Sequence, residues 1–232
     1  VLAHLARLPG LFRVTGVAVR DERRPRPELP AGVPVTTEAR AVLASGCEVL
    51  LELAGGTEPA GDIVHAALSA GMSVITANKA LLALRGAELA AVAERNGAGL
   101  HGSAAVGGGM PAIECVRAAV RHGPVRRITG VLNGTCNYVL DRIAGGASFE
   151  ASVRDAQEAG FAEADPSLDL DGIDAASKLA LLVREAWGVN PDIRTTGIRE
   201  SGLPANPRTG GVQRLVARAA RGAGGRLAAT VG

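Results

Sequence analysis

Aromatic residues are scarce in this chain of 232 residues, which has three Phe, one Tyr and one Trp. Proteins that bind single-stranded nucleic acid stack bases on aromatic side chains, so the scarcity argues against that class. The charges are nearly balanced, with 25 Lys plus Arg against 23 Asp plus Glu, and they form no long block of one sign. A basic tail for nucleic acid or for a membrane surface is therefore not expected.

Cysteine, histidine and long apolar runs are also limited. The three cysteines, Cys47, Cys115 and Cys136, lie far apart, which favours small buried side chains in a reducing cytoplasm over a disulfide framework. The four histidines have no ligand spacing with cysteine or acid, so we expect no zinc site. No apolar run approaches the ~20 residues that cross a bilayer. The opening VLAHLARLPGLF is unlike a signal peptide.

Lysine is much rarer than arginine in this chain. Only Lys79 and Lys178 are lysines among the 25 basic residues. An amine can give up its proton in a protein, whereas a guanidinium cannot. The two lysine positions are therefore candidates for proton transfer.

The first half of the sequence alternates short apolar segments with helical patterns. The patterns predict strands at 14–19, 48–53, 73–77 and 98–102, and helices at 36–46, 58–71 and 78–97. Buried strands that alternate with helices indicate an α/β fold, with a parallel sheet and helices on both faces.

The second half predicts another α/β arrangement with a mixed sheet. Helices are expected at 107–123, 134–146, 148–160 and 172–188, a strand at 125–133, and from 205 onward a hairpin rather than a basic amphipathic helix. We place the domain boundary between residues 103 and 104, so that the domains are 1–103 and 104–232.

Lys178 lies four residues after Asp174, so both side chains project from one face of a predicted helix. An exposed ion pair is the plain interpretation. Apolar residues cover most of this helix, however, which favours a face in a cleft. Partial desolvation lowers the pKa of a lysine from ~10.4, whereas a neighbouring carboxylate raises it. These opposing effects suit a group that both donates and accepts a proton.

The segment before this helix, 160–178, carries five carboxylates: Glu163, Asp165, Asp169, Asp171 and Asp174. They are too close together for all to be buried as charges, and a few could converge on a substrate ammonium. The spacing lacks the alternating oxygen ligands and closing glutamate of an EF-hand calcium loop.

TANKALL, residues 76–82, brings Asn78 and Lys79 to the end of a predicted strand. Open α/β sheets bind ligands at this carboxyl edge. The alternative is an ordinary N-cap at Asn78 and a solvated lysine after it. Two further helix starts, GGG at 107–109 and NGT at 133–135, are weak candidates for anion binding.

Four segments, taken together and in order, resemble homoserine dehydrogenases: ITANKALLA, AAVGGGMPAIE, TGVLNGTCNYVLDRI and 156–178. The resemblance runs from about residue 14 to about residue 230. It implies a partial NAD(P)-binding, Rossmann-like domain followed by a catalytic, substrate-binding and dimerisation domain. The implied reaction is the NAD(P)-dependent interconversion of L-homoserine and L-aspartate 4-semialdehyde, in threonine, methionine and isoleucine biosynthesis, carried out by a cytoplasmic homodimer.

The resemblance also implies residue roles. Lys178 would be the proton donor and acceptor at the substrate oxygen, and Lys79 would contact both cofactor and substrate. Glu163 and Asp174 would bind homoserine, with Asp169 nearby. Asn78 and Gly160 would lie against the cofactor. Arg20 would bind the 2′-phosphate of NADP, which we favour over NAD, although Asp21 would suit a ribose hydroxyl instead.

The sequence departs from the family pattern at three places. The glycine-rich pyrophosphate loop would precede residue 1, and further cofactor-site segments would follow residue 232, so we expect a chain trimmed at both ends. Ser103 stands where the family has the glutamate of a monovalent-cation site, to which Val106, Gly108 and Met110 would still offer backbone carbonyls. Two alternatives stay open: a related amino-acid dehydrogenase, and a catalytically silent fragment that keeps the dimerising half.

Overall fold

The computed structural model describes residues 1–8, 10–199, 213–222 and 224–232. The chain folds as two compact units, Val1–Gly102 and Ser103–Gly232. In the described part of the chain, none of the helices has both the length and the hydropathy that crossing a membrane requires.

The first unit contains two parallel sheets and four α-helices among its described residues. The elements are α1 (Leu2–Leu5), β1 (Val17–Ala18), β2 (Val35–Thr36), α2 (Ala39–Leu43), β3 (Val49–Glu52), α3 (Ala60–Ser69), β4 (Ser73–Thr76), α4 (Lys79–Arg95) and β5 (Leu100–His101). Strands β1 and β2 pair in parallel, and β3, β4 and β5 form a parallel sheet in that order. The predicted parallel α/β sheet is confirmed, and β2 is a short strand that the sequence patterns did not predict.

Helices α3 and α4 pack on one face of the β3–β4–β5 sheet. Leu50 and Val74 face them and join a core with Leu68 and Leu89. Alternate side chains of a strand point to opposite faces, and on the opposite face Val49, Leu51 and Ile75 are 46%, 37% and 40% exposed. The prediction of helices on both faces is therefore met on one face only within the described residues.

The second unit contains five α-helices and a mixed sheet among its described residues. A 3₁₀ turn at Ser103–Ala105 precedes α5 (Ala112–His122), β6 (Arg127–Gly130), α6 (Gly134–Ala144), α7 (Phe149–Glu158), α8 (Ser167–Leu170), α9 (Ile173–Trp187), β7 (Ile193–Thr195), β8 (Ala217–Arg221) and β9 (Leu227–Val231). The sheet order is β6-β8-β9-β7; β7 and β9 pair in parallel, and the other two pairings are antiparallel.

Strands β8 and β9 form the predicted antiparallel hairpin. Its buried face is built from small side chains such as Ala217, Ala219 and Ala229, while Arg218 on the other face and Arg221 at the strand end are exposed. The first part of the segment assigned to this hairpin, residues 205–212, lies outside the described residues. Strand β7 and helix α8 were not predicted, because three or four residues are too few to show a period.

Helix α9 is the central element of the second unit. Leu179 and Val183 are fully buried in a core shared with α6, β8 and β9. Gly172 and Gly188 flank the helix with φ of 77° and 67°, a left-handed conformation that favours glycine. At its last turn, Trp187 Nε1 donates to the Val125 carbonyl at 2.8 Å.

Truncating a leucine in this core should unfold the second unit at lower denaturant concentration. We expect Leu179→Ala to lower its free energy of unfolding by about 2–5 kcal/mol, because the lost methyl groups leave a cavity. Trp187 is the chain's one tryptophan, so its fluorescence during urea titration reports on this unit. Leu168→Ala is the matched control, because Leu168 is 63% exposed and should change stability by about 0.5 kcal/mol or less. Equal effects of the two substitutions would contradict the assigned core.

Candidate active site

Lys178 and Asp174 form a largely buried ion pair on α9. Lys178 Nζ lies 2.7 Å from Asp174 Oδ2, and the two side chains are only 19% and 8% exposed. Nζ also donates to the Leu132 carbonyl at 2.9 Å. The interpretation as a solvated surface pair is therefore wrong. Charges removed from water must be compensated by close partners, and this ammonium has a carboxylate and a carbonyl.

Asn133, the N-cap of α6, joins this pair to a second carboxylate. Its Nδ2 donates to Asp169 Oδ1 at 2.6 Å and to Asp174 Oδ2 at 2.9 Å. Its Oδ1 accepts the Cys136 N–H at 2.8 Å, which caps the helix. Sequence reasoning did not name Asn133 as a site residue. The NGT motif drew attention to backbone amides at this helix start, whereas in the structure the asparagine side chain makes the contacts.

Of the five carboxylates in the 160–178 segment, Asp169 and Asp174 are the two brought together with Lys178. Asp165 accepts the Ser167 hydroxyl at 2.5 Å and the Ser167 N–H at 3.1 Å, bonds that lower the pKa of its carboxyl group. Asp171 Oδ1 lies 3.2 Å from Arg199 Nε. Two of the five are therefore engaged in local structure instead of meeting a common ligand.

Glu163 and Gly160 lie in the exposed loop between α7 and α8. The Glu163 carbonyl accepts Gln157 Nε2 at 3.1 Å, which ties the loop back to α7. Gly160 has φ of 75°, and a Cβ there would meet nothing within 4 Å. Glycine is therefore favoured at this position by the backbone conformation and not by close packing. The structure does not bring the Glu163 carboxylate into the Asp169–Asp174–Lys178 cluster.

Asn78 organises the carboxyl edge of β3 and β4 in the first unit. Its Oδ1 accepts the Leu81 N–H at 3.0 Å, so it is the N-cap of α4, and its Nδ2 donates to the Gly56 carbonyl at 2.5 Å. Lys79 follows it as the first, half-buried residue of α4. The ordinary cap role is thus confirmed, and the same side chain also fixes the loop after β3.

A buried carboxylate that sequence reasoning missed supports this edge. Glu52 is 6% exposed and accepts hydrogen bonds from Thr76 Oγ1 at 2.5 Å and from the N–H groups of Ala54 and Gly55 at 3.0 and 3.1 Å. Thr76 Oγ1 in turn accepts the Asn78 N–H at 2.9 Å. Glu52 is the last residue of an apolar strand. The one sequence feature that could have indicated its buried role is an isolated acidic residue in an apolar run.

Arg20 lies beside the same loop. Its Nη2 is 3.5 Å from the Ala54 carbonyl, and its side chain is exposed. Asp21 Oδ1 accepts the Arg23 N–H at 2.9 Å. The Asp21 carboxylate is therefore used in a local turn of its own loop, while the Arg20 guanidinium stays at the surface.

The predicted cation position has a different environment from the one that the resemblance implies. Ser103 Oγ donates to the Glu114 carboxylate and lowers the pKa of Glu114. Val106 is fully buried, Gly108 has φ of 61°, and Met110 is 54% exposed. Among the described residues, no group of three or more His, Cys, Asp or Glu side chains could hold a metal ion.

A concave surface in the first unit contains none of the predicted site residues. It has a volume of about 540 Å³ and is lined by Leu2, Leu5, Phe12, Arg13, Thr15 and other residues within 2–45. Because the described residues that line it include no carboxylate and no lysine, it offers no counterpart to the cluster around Lys178.

Cys136 is fully buried, with its Sγ 2.9 Å from the Asp169 carbonyl oxygen, and should be chemically inert. Its pKa is raised to about 12, first by burial and then by the charges of nearby carboxylates. At pH 8 such a thiol is almost entirely protonated, and the thiolate is the reactive form.

In a Cys47→Ala background, which removes the half-buried third thiol, we therefore expect a disulfide reagent to modify exposed Cys115 rapidly at pH 8 and to reach Cys136 only after unfolding in urea. Absorbance of the released thiolate measures both phases. Cys115→Ser should remove the fast phase. Loss of that phase in Cys136→Ala instead would show that the assignment of reactivity is wrong.

Comparison with known proteins gives one consistent family. The family model described as homoserine dehydrogenase matches residues 111–231, and the model described as homoserine dehydrogenase, NAD binding domain, matches residues 1–102. The chain is similar to homoserine dehydrogenases of Corynebacterium glutamicum (40% identity; 80% of this chain and 42% of the relative) and Synechocystis sp. (38%; 81% and 45%). It spans about half the length of the curated relatives that it matches.

Solved structures lead to the same family. A homoserine dehydrogenase from Thiobacillus denitrificans superposes with a TM-score of 0.84 at 33% identity, covering 94% of this chain and 52% of that one. A hyperthermophilic archaeal homoserine dehydrogenase in complex with NADPH superposes with a TM-score of 0.70 at 28% identity, covering 83% and 57%. The first family model alone matches just over half of the residues, and the fold agrees along nearly the whole chain. The chain belongs to the homoserine dehydrogenase family.

Proposed function

We propose that this chain carries the proton-transfer and substrate-binding core of a homoserine dehydrogenase, which interconverts L-homoserine and L-aspartate 4-semialdehyde. The observation that supports the proposal is the Lys178 ammonium, held between Asp174 Oδ2 at 2.7 Å and the Leu132 carbonyl at 2.9 Å. Substrate enters as an amino acid, and the Asp169 and Asp174 carboxylates offer charge complementary to its ammonium group. Glu163, in the exposed loop nearby in sequence, would complete substrate binding.

Lys178 is the proposed acid and base. A bound nicotinamide cofactor supplies or accepts the hydride at the carbon. When the aldehyde is reduced, the electron pair of the carbonyl moves to oxygen, and the resulting alkoxide takes a proton from the Lys178 ammonium to give the alcohol. In the reverse direction the neutral amine accepts that proton. Asp174 stabilises the ammonium form, and the Leu132 carbonyl orients the Nζ hydrogens.

The cofactor is proposed to be NADP, held at the carboxyl edge of β3 and β4. Residues 1–102 match the NAD-binding family model, and the archaeal relative was solved with NADPH. Asn78 and Lys79 stand at this edge, and Gly160 is the further position that the resemblance implies. Lys79 would contact both cofactor and substrate. Arg20 is available for a 2′-phosphate, while Asp21 is engaged with Arg23 N–H, which favours NADP over NAD.

No step is assigned to a monovalent cation. The residue at 103 has no carboxylate, and its hydroxyl donates to Glu114. Val106, Gly108 and Met110 could contribute only backbone carbonyls, so the donor set does not fit the site that the resemblance implies. The whole protein is proposed to act as a homodimer through the second unit, in the cytoplasm, where its three free cysteines would stay reduced.

Replacement of Lys178 should separate proton transfer from cofactor binding. We expect Lys178→Ala and Lys178→Arg to lower homoserine-dependent NADP reduction, followed at 340 nm, by about 10²–10⁴-fold. Arginine keeps the charge but cannot act as a base. The rise in Tm on adding NADP should stay unchanged in both variants. Ser177→Ala is the neighbouring control, since Ser177 Oγ donates to the Ile173 carbonyl of its own helix at 2.9 Å.

The same assay distinguishes the alternatives. A near-normal rate in Lys178→Ala would remove this residue from the mechanism. A wild-type chain that shows neither turnover nor a Tm change with NADP, NAD or homoserine would instead be the silent fragment. Turnover with a different amino alcohol would indicate a related amino-acid dehydrogenase.

Removing the Arg20 guanidinium should weaken NADP binding selectively. A hydrogen bond to a charged group contributes about 1.5–3 kcal/mol, so we expect Arg20→Ala to raise the Kd for NADP by about 10-fold or more and to leave the Kd for NAD unchanged. Titration calorimetry measures both constants. Arg40→Ala removes an equal charge at an exposed position of α2 and should alter neither. A parallel loss of both nucleotides in Arg20→Ala would argue against contact with the phosphate.

A further inference from the structure

The Asn133 side chain makes three hydrogen bonds inside the candidate site. A side-chain amide has two N–H donors and one acceptor oxygen with two lone pairs. Here the donors reach Asp169 Oδ1 at 2.6 Å and Asp174 Oδ2 at 2.9 Å, and the oxygen accepts Cys136 N–H at 2.8 Å. The residue is 3% exposed. One residue therefore links the start of α6 to α8 and to α9.

This link brings two like charges together. Carboxylates that bind the same amide nitrogen are close neighbours, and at such separations they repel each other strongly outside water. Asp174 also accepts Lys178 Nζ through the same Oδ2 atom that Asn133 contacts. Among the described residues, the Cys136 thiol on α6 lies near both carboxylates, and Asp171 after α8 lies near Cys136.

We propose that Asn133 is a positioning residue: its amide holds the Asp169 and Asp174 carboxylates side by side, and through Asp174 it fixes the Lys178 ammonium against the Leu132 carbonyl. This proposal rests on the proposed function and extends it. One neutral side chain would set both the spacing of the two carboxylates that bind the substrate ammonium and the position of the Lys178 amine that transfers the proton. Asn133 itself moves no proton.

Helix capping alone is the competing role, and it makes a different prediction. Asn, Asp and Ser cap helices about equally well. Asn133→Ser and Asn133→Asp therefore keep an oxygen for the Cys136 N–H and delete both amide donors, and the aspartate adds a third negative charge. A capping role predicts that both variants behave like the wild type. The positioning role predicts that both are impaired, the aspartate more than the serine.

The lysine side chains offer a readout that needs no catalysis. The chain has two lysines, so a sample labelled with ¹³C-lysine gives two sets of ε-methylene signals in an NMR spectrum, assigned with Lys79→Arg. In the wild type we expect the Lys178 signals to be displaced from those of free lysine, because the ammonium is held by two partners. In both Asn133 variants they should move toward the free position. Unchanged Lys178 signals in both would overturn the proposal.

Ligand affinities and the Tm provide two further measurements on the Asn133 variants. We expect homoserine affinity, measured by calorimetry, to fall about 10-fold or more in both variants, the loss expected for a broken hydrogen bond to a charged group. NADP affinity should stay unchanged. Ser148→Ala is the control for lost capping, because Ser148 Oγ accepts the Ala151 N–H at 3.1 Å at the start of α7. It should lower Tm without moving the Lys178 signals.

Failure of the inference and failure of the proposed function have different signatures. A wild type that binds no homoserine would contradict the proposed function, while the lysine spectra would still decide the role of Asn133. Variants that unfold, as judged by Trp187 fluorescence, would assign Asn133 a structural role and overturn the inference.

Discussion

The second unit is arranged around the requirement that a buried ammonium be compensated. Removing Lys178 from water is tolerable because Asp174 and the Leu132 carbonyl both lie within hydrogen-bonding distance. That requirement fixes neighbouring elements in turn. The carbonyl belongs to the segment between β6 and α6, the carboxylate belongs to the first turn of α9, and Asn133 joins both to α8. A shift of any of these elements would leave a charge or an amide without its partner.

At the carboxyl edge of β3 and β4 in the first unit, a buried negative charge is likewise compensated by close partners. Glu52 is buried, and three donors compensate its carboxylate: the Thr76 hydroxyl and two backbone N–H groups. Asn78 continues the network to the Gly56 carbonyl and to the cap of α4. The loop after β3 is thereby held by side chains rather than by a ladder of backbone bonds, which explains how an irregular glycine-containing segment keeps a defined shape.

Sequence patterns predict those parts of the structure that depend on local periodicity. Apolar periods and glycine stops indicate α4, α9, β3 and β4, and the i, i+4 spacing places Asp174 beside Lys178, a contact that the structure contains.

Helix α8 and strand β7 were missed because their identity depends on partners distant in sequence. Helices were predicted on both faces of the β3–β4–β5 sheet but cover one face among the described residues. An apolar strand sequence does not show which of its faces is covered. Asn133 and Glu52 were missed because an amide at a helix start and an acid at a strand end are common, and only burial with several partners distinguishes them.

Among the described residues, the two faces of the β3–β4–β5 sheet differ in how tightly their side chains are packed. Val49, Leu51 and Ile75 present a branched, water-exposed strip beside strands whose other side is packed. A smaller side chain at these positions leaves no enclosed cavity, so the strip should accept more sequence variation than Leu50 and Val74 on the packed face.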